Sequence, residues 1–176
     1  MDAVEVSTVV YVPPAEMYEF LIDFPRYAEY SEYLREVRRE GDGAAGTKYA
    51  LTFSWWKLSY TAHTEVVETD PPERIDWRVT RHIDADGHWR VEEVPEAAPP
   101  DAETVSRVSL RIDYDPRSVN AGSIDLPRFV SLSWVVEKVK PLIRDEAERV
   151  VERIVADVEG RHREVDLTVH TGPDAL

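Results

Sequence analysis

The chain has 176 residues, enough for one domain with a real core. Its 35 acidic against 21 basic residues give a net charge of −14, which argues against binding a nucleic-acid backbone, since that depends on Lys and Arg neutralising phosphates. The absence of cysteine excludes a disulfide framework or a thiolate metal site, and no stretch approaches the roughly 20 apolar residues that cross a bilayer.

The N-terminus, "MDAVEVSTVV", lacks the basic, apolar and small-residue segments of a signal peptide, so a cytoplasmic protein without membrane insertion is expected. The acids are spread along the chain and mixed with Arg, while Lys occurs only at 48, 57, 138 and 140. Such a surface suits a halophile, in which a strongly hydrated anionic shell maintains solubility at molar salt.

In chain order, β-branched residues 4–12 predict a strand, ended by Pro13 and Pro14. Met17, Phe20, Leu21 and Phe24 recur at helical spacing and predict a short amphipathic helix. The next turn, "DFPRYAEYSEYL", places an aromatic at every third position: Phe24, Tyr27, Tyr30 and Tyr33. A strand from about 33 to 40 stops at "GDG".

Period-2 alternation then dominates. One face carries Tyr49, Leu51, Phe53 and Trp55, then Tyr60, Ala62, Thr64 and Val66, then Ile75, Trp77 and Val79. "DADG" at 84–87 reads as a hairpin turn, after which Trp89 and Val91 return on one face. A polar loop at 96–103 precedes a last strand with Val108, Leu110, Ile112 and Tyr114 alternating. This pattern predicts an antiparallel sheet with one wet and one dry face. From about 126 to 160 the period becomes helical, with Pro141 expected to bend or break the helix. Domain bounds of 1–162 follow, with a frayed tail at 163–176.

The segment "VYVPPAEMYEFLIDFPRYAEYSEYLREVRREGDG" resembles the START-like (SRPBCC) superfamily that includes polyketide cyclases, and more closely its coenzyme Q-binding and ribosome-association-toxin branch. Val12–Pro14, Glu16, Phe20, Asp23 and Tyr27 stand where those relatives carry their motif, and "WWKLSYTAHTEVVETDPPERIDWRV" resembles the strands that follow. Ala28 replaces the usual Pro, and 115–128 is longer than in the compact branch. The resemblance implies an α+β helix-grip fold: a curved antiparallel sheet of about six to seven strands wrapped around a long C-terminal helix, with two short helices after the first strand. It also implies a hollow between sheet and helix.

Within such a hollow the candidate ligand-binding residues are Tyr27, Tyr30, Tyr49, Phe53, Trp55, Tyr60, Trp77, Arg81, Trp89, Glu93, Phe129 and Trp134. Any single ring could equally be core, since each aromatic buries about 150–250 Å²; together they suit the wall of an apolar pocket with a few polar groups. Phe24 reads as an anchor, with Tyr27 and Tyr30 at the mouth and their hydroxyls reaching water. A hairpin symmetric about Ala85 would set Trp77 opposite Glu93 and Arg81 opposite Trp89. Arg81 and Glu93 would then be charges on the dry face, pairing, reaching the rim or meeting a ligand. The five histidines lack ligand spacing, and no nucleophile elbow, P-loop or dinucleotide fingerprint occurs, so neither metal nor cofactor is expected.

The leading expectation is binding or transport of an apolar small molecule, such as a lipid, an isoprenoid quinone or a polyketide-like aromatic. A cyclase or dehydratase using Glu93, Arg81 and Tyr60 is the alternative. The third reading is a protein-interaction module with a protein partner, as in the toxin relatives.

Overall fold

The computed structural model describes residues 2–99, 104–118 and 132–171. Strand β1 (Asp2–Val10) leads through Pro13 into helix α1 (Pro14–Ile22), with Pro14 in the first turn, where a missing N–H costs nothing. A 3-10 turn follows at Phe24–Glu29. At three residues per turn, the every-third spacing of Phe24, Tyr27 and Tyr30 brings these rings onto one face.

Strands β2 (Leu34–Glu40), β3 (Lys48–Trp55), β4 (Leu58–Asp70), β5 (Arg74–Val79), β6 (Asp84–Glu93) and β7 (Ser106–Asp115) form an antiparallel meander. Helix α2 (Leu132–Glu159) and β8 (Thr168–Thr171) complete the order. The eight described strands make one sheet, β2-β3-β4-β5-β6-β7-β1-β8. This is the helix-grip fold, with slightly more strands than the six to seven that the resemblance implies. The additional strand is β8, which pairs antiparallel with β1, so residues 168–171 are an edge strand where the sequence reading has a frayed tail. Helix α2 also runs through Pro141 without a break. One lost rung does not end a 28-residue helix.

The dry face is sealed at one end. Val66 and Ile75 are fully buried, with Val10, Val91 and Tyr49 nearly so. They pack with Met17, Phe20, Leu21 and Phe24 from the first helical segments and with Val151, Ile154, Val155 and Val158 from α2. Each such buried aliphatic contributes about 1.5–3 kcal/mol.

Three polar latches hold α2 over this end. Glu159 accepts from Arg163 Nε and Nη2, both at 2.8 Å, and from the Tyr11 N–H at 2.9 Å. Burial pushes the Glu159 carboxyl up, but Arg163 and the Tyr11 N–H outweigh it and hold the group below the usual glutamate range. Arg163 also donates to the Val9 carbonyl and lies 3.9 Å from the Tyr11 ring centroid. Two residues back, Asp157 accepts from the Tyr30 hydroxyl and from Arg26 Nη2 at 3.0 Å. Further along, buried Glu146 accepts from the Glu32 N–H at 2.9 Å, and Arg153 donates to the Tyr30 carbonyl at 2.8 Å. Gly160, at φ +79°, ends the helix in the left-handed conformation that glycine adopts freely.

The outer face carries ion pairs between neighbouring strands and within them, such as Arg78–Glu65 and Arg74–Asp76, both at 2.9 Å.

Candidate functional site

Strand pairing sets the dry-face positions in rows. Phe53 stands opposite Tyr60, Trp55 opposite Leu58, Val66 opposite Trp77, and Trp77 opposite Gly87. A bulge between Val66 and Glu68 adds a residue to β4, leaving Val67 exposed and re-aiming the strand. In the other direction along β4, toward the β3–β4 hairpin, the face changes character: Leu51, Trp55 and Tyr60 are only half-buried, and Phe53 is 38% exposed. The concave face thus has a sealed end under α1 and the last turns of α2, and an open aromatic end toward the β3–β4 hairpin.

Helix α2 reaches that open end. Trp134, near its start, lies 5.9 Å from the Trp56 ring at the hairpin tip. Burial pushes the Tyr60 hydroxyl up; among the described residues it has no hydrogen-bond partner, and its ring lies 6.4 Å from that of His82 in the β5–β6 turn. Tyr114 is pushed up by burial and then by Asp2.

The predicted site residues divide accordingly. Phe53, Trp55 and Tyr60 lie together toward the β3–β4 hairpin, with Trp134 at the margin, whereas Trp77 pairs with buried Val66 and packs against the core. Tyr27, Tyr30 and Tyr49 lie at the sealed end. Tyr49 is buried 4.6 Å from Phe24, and Phe20 stacks on Tyr27 at 5.8 Å and meets Tyr30 edge-on at 5.4 Å. The hydroxyls of Tyr27 and Tyr30 do not reach water as expected: Tyr27 donates to the Leu21 carbonyl and Tyr30 to Asp157. Both groups are pushed up chiefly by burial. Trp89 meets Tyr27 edge-on at 6.4 Å and belongs with this packing. Phe129 lies outside the described residues.

The expected Arg81–Glu93 relation is corrected. The register pairs Arg74 with Arg90 and Trp77 with Gly87, centring the β5–β6 hairpin on His82, three residues before Ala85. Arg81 is in the turn and Glu93 at the opposite end of β6, both exposed, roughly 30 Å apart at 3.3 Å per strand residue. "DADG" misled because Gly87 serves another purpose. A Cβ there would lie 2.5 Å from Trp77 Cζ2 and 2.5 Å from the Arg111 carbonyl oxygen. The bare glycine lets the indole lie across β6.

Trp56 is the residue the sequence reading passed over; its signal was a tryptophan in a two-residue hairpin turn. Two further grooves, of about 530 and 560 Å³, have largely charged and polar linings, with Glu68, Asp70, Arg74 and Asp76 in one and Arg38, Lys48, Glu65 and Arg81 in the other. Among the described residues no carboxylate–histidine cluster is placed to hold a metal, and no described helix is long and apolar enough to cross a membrane.

Residues 1–155 match the family described as polyketide cyclase / dehydrase and lipid transport. The chain belongs to that family. Among solved structures, similarity extends to TTHA0849 from Thermus thermophilus, at TM-score 0.61 and 16% identity over 90% of this chain and 97% of the other. The Zhui aromatase/cyclase from Streptomyces is similar at TM-score 0.61 and 16% identity over 89% and 93%. The di-domain ARO/CYC BexL matches at TM-score 0.57 and 13% identity, over 92% of this chain and 50% of its own. At these identities the likeness is one of fold. No curated protein matches the sequence.

Proposed function

We propose that this family member binds an apolar small molecule, a lipid, an isoprenoid quinone or a polyketide-like aromatic, against the open end of its concave face. The observation that carries this reading is the division of one continuous dry face. One end is packed shut by aliphatics and the first helical segments, while the other leaves Phe53, Trp55 and Tyr60 half-covered. A fold that needed these rings only as core would cover them, because each gains free energy in proportion to the apolar area removed from water. Tyr60 supplies a polar group that an otherwise apolar ligand would need for orientation.

A cyclase or dehydratase reading is less well supported. Of its three expected acid–base groups, Arg81 and Glu93 stand at opposite ends of β6 and only Tyr60 faces the open end. General acid–base work needs groups within hydrogen-bond reach of one substrate.

Native mass spectrometry of protein purified at high salt tests the proposal, together with quenching of tryptophan fluorescence by a short-chain ubiquinone. Saturable quenching, weakened in Trp55→Ala, is expected. Absence of both a co-purified ligand and saturable quenching would refute it.

A further inference from the structure

The β3–β4 hairpin turns on two residues, Trp56 and Lys57, between the paired Trp55 and Leu58. Trp56 has φ +54°, whereas Lys57 is not among the residues with positive φ. A positive φ at the first central position alone is the type II′ pattern, in which glycine is the normal occupant. Any Cβ there crowds the neighbouring carbonyl, and a bulky aromatic side chain is an outlier in this region.

Burial does not compensate for this conformation. Trp56 is 58% exposed, the highest value among the exposed large apolar residues described. Its ring meets Trp55 at 6.3 Å and Trp134 of α2 at 5.9 Å, with Lys57 Nζ 5.5 Å from its centroid. A glycine would make the same turn with less strain, and strain that folding does not require points toward function. The location supplies the role. The hairpin tip lies next to Trp55 at the open aromatic end, and Trp134 of α2 lies 5.9 Å from the Trp56 indole.

We infer that Trp56, together with Trp134, forms the mouth of the apolar site and holds the ligand by direct contact with the indole. The inference rests on the binding function proposed above. An indole suits this place because it offers a large apolar face and an N–H that can remain in water. The residue is thus retained for retention of ligand, at a cost to the turn.

The test measures stability and ligand release separately, with the neutral dye N-phenyl-1-naphthylamine as probe. Trp56→Gly should raise the melting temperature by about 2–4 °C, the effect of removing a modest strain in a chain of this size. It should also speed dye release in stopped-flow displacement by about tenfold, as losing roughly 1.4 kcal/mol of contact would. Trp56→Phe, which keeps a ring in the same strained position, should release dye at close to the wild-type rate. Unchanged release in Trp56→Gly would overturn the inference, as would a lowered melting temperature, since the indole would then be structural. Failure of the wild-type protein to take up any dye would instead refute the binding function on which the inference depends.

Discussion

Replacing Gly87 with Ala is expected to destabilise the protein, against the ordinary preference. A glycine within a strand usually weakens it, so alanine should help, and alanine also restricts the unfolded chain, worth about 0.4–1 kcal/mol. Here the added Cβ would lie 2.5 Å from both Trp77 Cζ2 and the Arg111 carbonyl oxygen, and 2.9 Å from Trp77 Cη2. Carbon–carbon contacts are comfortable at about 3.5–4.0 Å, so the overlap is roughly 1 Å. One obstacle is backbone of β7, paired to Gly87 through Ile112, and cannot swing aside as a side chain would. Overpacking of this kind costs about 1–3 kcal/mol. Subtracting the unfolded-state gain leaves about 1–2 kcal/mol, or roughly 2–8 °C in melting temperature for a chain of this length. Thermal and denaturant unfolding measure it. In the double variant with Trp77→Leu the cost should be well below additive, because one of the two clashes is removed. A Gly87→Ala protein as stable as wild type would refute the proposed packing of the indole over this strand.

Two further outcomes are expected. Arg163→Ala removes both charge-assisted bonds to Glu159 and leaves the buried carboxylate with the Tyr11 N–H and the weaker pull of the Arg161 charge. Breaking a buried pair costs about 3–5 kcal/mol; because the Arg163 side chain is 20% exposed, about 2–3 kcal/mol is expected here. Glu159 titrates below its ordinary range in the fold, so its stabilisation is complete above the unfolded glutamate pKa and is lost as pH falls through the folded value. The gap between wild type and Arg163→Ala should therefore narrow below about pH 4, and a gap that persists unchanged at pH 3 would count against the pair. The net charge of −14 predicts a melting temperature that rises from low to molar salt as self-repulsion is screened; an unchanged value would remove the halophilic reading.

The strands were legible because alternation has a period that no helix shares. Tyr49, Phe53, Trp77 and Val108 fall on the dry face wherever their strands begin and end. The 3-10 turn was also visible, as aromatics spaced by three. What local pattern could not supply was register. A pairing centred on His82 or on Ala85 preserves every alternation, and only the packing of Trp77 over Gly87 shows which pairing these strands adopt. The same limit applied to the tyrosines. Spacing placed Tyr27 and Tyr30 on one face with Phe24, but Asp157 and the Leu21 carbonyl, which take their hydroxyls, belong to the tertiary arrangement.

By itself, then, the sequence determined which residues are strand or helix and which side of each turns from water, because those follow from local periodicity and the hydrophobic effect. Only the tertiary structure decided how far each strand slides along its neighbour, and hence which rings are packed shut and which stay open. Those outcomes depend on contacts between residues distant in the chain, such as Tyr30 with Asp157 and Trp56 with Trp134.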